Sequence, residues 1–282
     1  MTRNTTAAEA VFECRDVHYA YHGRFPALCG VDMTIREGER VALVGANGSG
    51  KSTLLSLLDG LIFPDRGSIA FRGAGLTEAA LAEEAFSARF RGGVGLVFQS
   101  PDVQLFCPTV REDIAFGPLQ LGVGENEAKD RLKALAETLR IGHLLDRSPH
   151  QLSVGEKRKV AFATVLAIDP QVLLLDEPTA GLDPRTSTQL IEMLMHFSEA
   201  GKTVVTATHD LHIIEDIADS VYVFGQDRRV AGAGAPAEIL ANTAMLEANN
   251  LVHIHGHHAR DHRRFHWNGE EHGGAADRNG SH

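Results

Sequence analysis

The chain has 282 residues, 43 % hydrophobic and 23 % charged, enough for one large domain, or a domain with an inserted lobe, around a generous core. Acidic residues outnumber basic ones 37 to 27, and the net charge of −10 argues against nucleic acid as the main partner, because phosphate neutralisation needs clustered Lys and Arg. Three scattered cysteines, Cys14, Cys29 and Cys107, exclude a disulfide frame or a zinc knuckle. No apolar run is long enough to span a bilayer.

Residues 1–10 are polar, lack the apolar stretch of a signal peptide, and are expected to form a flexible N-terminus. Val11 to Val17 and Val31 to Ile35 have strand character, with a turn at Gly23 between them. Val41 to Val44 is a short apolar run that reads as a buried parallel strand. It enters Gly45-Ala46-Asn47-Gly48-Ser49-Gly50-Lys51-Ser52, followed by Thr53 and a helix expected over Ser52 to Leu61. Gly48 and Gly50 allow backbone N–H groups to curl round phosphate oxygens, and the helix N-terminus adds a positive dipole end. Lys51 supplies a mobile cation for the β- and γ-phosphates, and the Ser52 hydroxyl suits Mg²⁺. A second buried strand, Val94 to Phe98, ends at Gln99.

From Ser100 to Gln151 the texture is helical, with Thr109 and Glu112 in capping positions and Ala and Leu at helical spacing over Asn126 to Arg140. Ser153 and Glu156 repeat the capping pattern, so another helix is expected to start there. The sheet pattern returns with Val172 to Leu175, a buried strand that delivers Asp176 and Glu177 to its carboxyl end, where ligands of open α/β sheets bind. A hard cation such as Mg²⁺ prefers carboxylate oxygen, which suits Asp176, and Glu177 is placed to act as a base on an attacking water. Asp183-Pro184 opens a further helix, and Thr203 to Ala207 and Val221 to Phe224 complete the strands. Alternating strands and helices predict a doubly wound α/β sheet. Beyond Leu251 the pattern ends in a segment carrying eight of the fifteen histidines.

These segments, in this order, resemble an ATP-binding cassette (ABC) ATPase, and the likeness covers about residues 11 to 245. It implies a P-loop NTPase-type, mainly parallel sheet with an antiparallel β subdomain and an inserted α-helical lobe. The expected division is an ATPase domain over 11–248, with the lobe at about 100–168, and a histidine-rich tail over 249–282. The resemblance makes Leu152 to Glu156 the signature motif, whose Ser153 and Gly155 contact ATP held by an opposite subunit. It makes Ala180 to Asp183 the D-loop that couples the two sites and His209 the switch histidine at the γ-phosphate. Gln99 becomes the lid residue that reaches Mg²⁺ and the attacking water, and Tyr21 the ring stacked on adenine. The ATP-binding set is then Tyr21, Gly45, Asn47, Gly48, Ser49, Gly50, Lys51, Ser52 and Thr53, with Ser153, Gly155 and Asp183. Catalysis falls to Glu177, His209 and Gln99, and Mg²⁺ to Ser52, Gln99 and Asp176. Two positions depart from the family pattern: Val154 stands where glycine is usual, and Glu156 where glutamine is. A β-branched residue disfavours positive φ, so Val154 requires an ordinary backbone there.

Phe98 to Phe106 and Glu112 to Pro118 look like the energy-coupling-factor importers, especially their cobalt and nickel branch. That resemblance implies a second ATPase subunit, identical or paralogous, a membrane coupling protein and a substrate-binding membrane protein. It places the chain at the cytoplasmic face of the cell membrane as a peripheral subunit. His253, His255, His257 and His258 could then chelate a transition metal, since imidazole suits Ni²⁺, Co²⁺, Cu²⁺ and Zn²⁺.

Overall fold

The computed structural model describes residues 9–252. All but two residues of the expected N-terminal segment, and His253, His255, His257 and His258, lie outside that range.

Two sheets form the body. The smaller is antiparallel and built from β1 (Ala10–Tyr21), β2 (Phe25–Arg36), β4 (Arg66–Phe71) and β5 (Ala74–Gly75), in the order β2-β1-β4-β5. The turn between β1 and β2 uses left-handed backbone at His22 and Gly23. The larger sheet contains β3 (Arg40–Gly45), β6 (Val94–Val97), β7 (Val172–Asp176), β8 (Thr203–Thr208), β9 (Ser220–Phe224) and β10 (Val230–Gly234). Its order is β10-β9-β3-β8-β7-β6, parallel throughout except for the β9–β10 hairpin. The parallel strands are covered on both faces, which is why they read as continuous apolar runs without alternation.

Helix α1 (Lys51–Leu58) lies between the sheets. Its Leu54, Leu55, Leu57 and Leu58 are buried with Val41, Leu43 and Leu174 of the large sheet and Phe12 and Ile35 of the small one. Each buried leucine contributes about 1.5–3 kcal/mol relative to exposure, so this helix fixes the two sheets against each other. It ends at Leu58, earlier than the Leu61 expected from apolar character, because Gly60 turns the chain at φ 63°. The opposite sheet face buries Leu173, Leu175 and Val204 against Phe162, Leu190 and Leu194.

Helices α2 (Glu78–Ala82) and α3 (Glu84–Gly93) lead into β6. Then α4 (Val110–Gln120), α5 (Glu125–Thr138) and α6 (Val154–Leu166) build a lobe with its own core of Val110, Ile114, Leu132, Leu144 and Val160. Helix α6 also gives Phe162 and Val165 to the sheet core, so it ties the lobe to the body. Helix α7 (Pro184–Glu199) follows β7, and α8 (Ile214–Ile217), α9 (Pro236–Ala241) and α10 (Thr243–Ala248) close the far side. The packed chain continues past residue 248: Leu251 and Val252 are buried with Leu211, Ile214 and Leu246. Among the described residues no helix is long and apolar enough to cross a membrane.

Candidate functional site: one edge of the parallel sheet

Strand order builds the site. β3, β8, β7 and β6 are consecutive neighbours, paired as Val44 with Thr208, Asp176 with Ala207, and Val97 with Leu175. Their carboxyl ends therefore set the glycine loop, His209, the Asp176–Glu177 pair and Gln99 side by side along one edge.

The loop between β3 and α1 is shaped by glycine where a side chain has no room. A Cβ on Gly45 would lie 2.5 Å from Ser49 Oγ and 2.9 Å from the Phe224 carbonyl oxygen. Gly50 holds φ 106°, and a Cβ there would meet the Ala27 carbonyl oxygen at 2.4 Å. Asn47, Gly48 and Ser52 face solvent, while Ser49 is buried with its hydroxyl unpartnered. Lys51 is only 5 % exposed and donates to the carbonyls of Gly45 at 2.6 Å and Ala46 at 3.3 Å. Burial pulls its pKa below the ordinary lysine value, although Glu177 and Asp176 push the other way.

Asp176 is 8 % exposed and Glu177 is 5 % exposed. Burial raises the Asp176 pKa, and a hydrogen bond from Ser52 pulls it down again. Its Oδ1 is buried with no hydrogen-bond partner, as is Glu177 Oε1. Glu177 Oε2 lies 2.9 Å from His209 Nδ1, and Oε1 lies 3.7 Å from Lys51 Nζ. Glu177 also has φ 46°, a left-handed backbone that disfavours a side-chain-bearing residue. Its amide donates to the Ala207 carbonyl at 2.9 Å.

A residue that sequence reasoning missed holds this strained turn. Arg158 is 4 % exposed and donates through Nη1 to the Glu177 carbonyl at 3.0 Å and through Nη2 to the Ala180 carbonyl at 3.2 Å. It belongs to α6, so the signature helix braces the backbone of Glu177. Nothing in spacing distinguishes it from Lys157 and Lys159, and arginine is rarely buried.

Tyr21 ends β1 and is 43 % exposed; its hydroxyl pairs with Thr53 Oγ1 at 3.2 Å, which sets its ring beside the start of α1. Gln99 is exposed just past β6 and stands outside the hydrogen-bonded cluster. Asp183 caps α7, accepting from the Thr186 amide at 3.0 Å and its hydroxyl at 2.6 Å. Ser153 caps α6 in a complete capping box: its amide and hydroxyl each reach Glu156 Oε2 at 2.8 Å, and the Glu156 amide reaches Ser153 Oγ at 3.3 Å. The hydrogen bonds from Ser153 hold the Glu156 carboxyl below its ordinary pKa. Val154 takes the first helical position and is 60 % exposed. No hydrogen bond or ion pair among the described residues joins Ser153 or Gly155 to Lys51, Asp176 or Glu177. The structure thus brings Lys51, Asp176, Glu177 and His209 together and leaves the signature residues apart.

The donor set suits Mg²⁺: hard oxygens from Asp176 and Ser52 adjoin each other, and the unpartnered Asp176 Oδ1 is a buried acceptor in need of a positive partner.

Residues 28–180 match the family profile described as ABC transporter. The nickel import ATP-binding protein NikO of Rhodobacter capsulatus is 49 % identical over 244 residues, covering 86 % of this chain and 95 % of that protein. CbiO1 of Clostridium perfringens, described as part of the ABC transporter complex CbiONQ, superposes with TM-score 0.71 at 35 % identity, over 86 % of this chain and 95 % of that one. The cassette MJ0796, solved as a dimer in a post-hydrolysis state with ADP and Pi, gives TM-score 0.71 at 27 % identity, over 80 % of this chain and 98 % of that one.

Proposed function

Since the chain belongs to the ABC transporter family as an ATP-binding subunit, we propose that it drives import of a divalent transition metal, nickel or cobalt, by closing with a second ATPase subunit around ATP. The observation that carries the mechanism is the Lys51–Glu177–His209 cluster at the sheet edge, with a buried oxygen that makes no hydrogen bond on each of Asp176 and Glu177. The nickel-import relative supports the cargo, and the CbiONQ neighbour supports assembly with membrane chains.

ATP enters with its phosphates against the backbone amides of Gly45 to Ser52, and the dipole of α1 attracts the negative charge. Lys51 exchanges its carbonyl partners for the β- and γ-phosphates, and the Tyr21 ring stacks on adenine. Ser52 and Asp176, with Gln99 from the end of β6, would hold Mg²⁺, which would supply positive charge to offset that of the phosphates. Glu177 Oε1 accepts the proton of the attacking water while Oε2 stays engaged with His209. A carboxylate positioned in this way is worth about 10² to 10⁴ in rate.

The second subunit supplies the rest. Ser153, Gly155 and the N-terminus of α6 face outward, and a helix N-terminus is a natural seat for the γ-phosphate of a partner's ATP. Each nucleotide is then held by one subunit's glycine loop and the other's signature helix, with Asp183 linking the sites. Hydrolysis removes the bridge, and the lobe passes the stroke to a membrane coupling protein at the cytoplasmic face.

Proteoliposomes carrying the whole complex test the cargo. Uptake of labelled Ni²⁺ or Co²⁺ is expected to require ATP and an intact Glu177. Uptake of a vitamin with no metal uptake would overturn the metal reading and leave the ATPase intact.

A further inference from the structure

We propose that the cavity between α6, α7 and the end of α5 is a regulatory site for an amphipathic anion, a small molecule with an acidic head and an apolar body. A filled site slows ATP hydrolysis through Arg158. Three observations converge on it.

The first is the size and lining of the cavity. It measures about 320 Å³, within the range of about 300–1,000 Å³ for small-molecule sites. Leu139, Phe162 and Met193 give it apolar walls, while Arg140, Arg158 and Lys159 bring three cations to its border. Glu192 is the one carboxylate in the lining, and the imidazole of His196 already faces Glu199 at 3.1 Å. An excess of cations here runs against the rest of a chain whose net charge is −10. Apolar surface beside positive charge matches a ligand that joins an apolar body to an anionic head.

The second is that these cations lack anionic partners. Among the described residues no carboxylate forms an ion pair with Arg140, Arg158 or Lys159. Arg158 is only 4 % exposed; its Nη1 and Nη2 meet two neutral carbonyls, and its Nε makes no hydrogen bond. Burying a charge without a counter-charge is costly. Asp176 and Glu177 favour the charged guanidinium from beyond ion-pair distance, and Glu177 is already engaged by Lys51 and His209. An anion in the cavity supplies the missing counter-charge.

The third is what the cavity adjoins. Arg158 holds the carbonyls of Glu177 and Ala180, so it fixes the turn that carries the base. Leu182 and Thr186, also in the lining, flank Asp183, which caps α7. A guanidinium bonds an anion more strongly than a neutral carbonyl, so a bound ligand draws Arg158 from Glu177 and loosens the base. The slowing rests on Glu177 as base, whereas binding is measured as heat on the chain alone, so the two readings can fail separately.

Titration calorimetry of the purified chain with sodium octanoate, a carboxylate on an alkyl chain, is the test. One octanoate per chain is expected to bind, with octanol and acetate each at least about ten-fold weaker. Saturating octanoate should lower kcat for ATP several-fold and leave KM for ATP unchanged. Lys159→Glu, which reverses a charge in the lining, and Met193→Trp, which fills the cavity, should each weaken octanoate at least about ten-fold and abolish the slowing. Their turnover without octanoate stays at the wild-type level. Octanol bound as tightly as octanoate, or undiminished affinity in Lys159→Glu, would put the probe on another apolar surface and overturn the site. So would no binding at all, and bound octanoate that leaves kcat unchanged would overturn the regulation. The Lys159 side chain is partly exposed and makes no hydrogen bond among the described residues, so a folding defect in Met193→Trp does not leave the question open.

Discussion

The sheet edge and the N-terminus of α6 both present groups suited to phosphate, yet they are satisfied in opposite ways. At the sheet edge Lys51, Asp176 and Glu177 are all buried, and Ser49 Oγ, Asp176 Oδ1 and Glu177 Oε1 have no hydrogen-bond partner. At the helix N-terminus the side chains are already matched through the Ser153–Glu156 box, and Val154 lies open to solvent. Unpaired buried polar atoms cost about 1–3 kcal/mol each, so the first region is built around a ligand it holds itself. The second is stable as it stands and offers its amides outward. A chain that carries one of each, with no hydrogen bond joining Ser153 or Gly155 to Lys51, Asp176 or Glu177 among the described residues, has the two complementary halves that the proposed dimer requires.

The largest effect is expected at the buried half. Glu177→Gln keeps the shape of the side chain and removes the proposed base, so steady-state ATP turnover of the complex should fall by about 10²- to 10⁴-fold with nucleotide binding retained. Turnover near wild type would show that the cluster with His209 and Lys51 is not the hydrolytic centre.

Arg158 joins the two regions, because it sits on α6 and holds the carbonyls of Glu177 and Ala180. Arg158→Ala should lower kcat by about ten-fold or more, since misplacing a catalytic group by an ångström costs up to about 10²-fold. KM for ATP should hold, and Arg158→Lys should restore part of the rate. A rise in KM with kcat unchanged would make the residue a binding element and not a brace.

At the exposed half the expected change is smaller. Val154 has room around it and an ordinary helical backbone, so Val154→Gly should raise turnover by no more than a few-fold, by relieving crowding at the partner's phosphate. Unchanged turnover would show that the valine sets no limit.

The smallest effect concerns stability at the foot of the lobe. Burial pushes the Asp59 pKa up to about 7, with Arg91 offsetting part of the shift. A carboxyl whose folded pKa lies above its unfolded value of about 4 binds its proton more tightly when folded. Its contribution to stability is therefore present at low pH and is lost as pH rises from about 4 to about 7. Asp59→Asn should melt a few °C above wild type at pH 8, and the two should converge at pH 4. Parallel melting curves across that range would contradict the sign.

Much of the sheet edge was legible because buried parallel strands leave continuous apolar runs. Val41 to Val44 and Val172 to Leu175 announced both the strands and the groups they deliver. The small strands β4 and β5 were silent, since Arg66-Gly67-Ser68 and Ala74-Gly75 carry little apolar periodicity, and the α9–α10 segment is too short for it. Helix α1 was overextended because Leu61 continues the apolar character past the turn at Gly60. Arg158 was invisible for a different reason: its value lies in two backbone carbonyls brought near by tertiary packing, and no local pattern encodes that. The backbone strain at Glu177 is likewise a property of the assembled turn.

The central claim is that the outward signature helix completes a neighbour's ATP site. Sedimentation of the Glu177→Gln chain, alone and with its companion ATPase subunit, tests it most directly. With saturating MgATP the account predicts a dimer that reverts to monomers when Ser153 is replaced by a bulky residue or ATP is withdrawn. A Glu177→Gln chain that binds MgATP yet stays monomeric both alone and beside its companion subunit would contradict it.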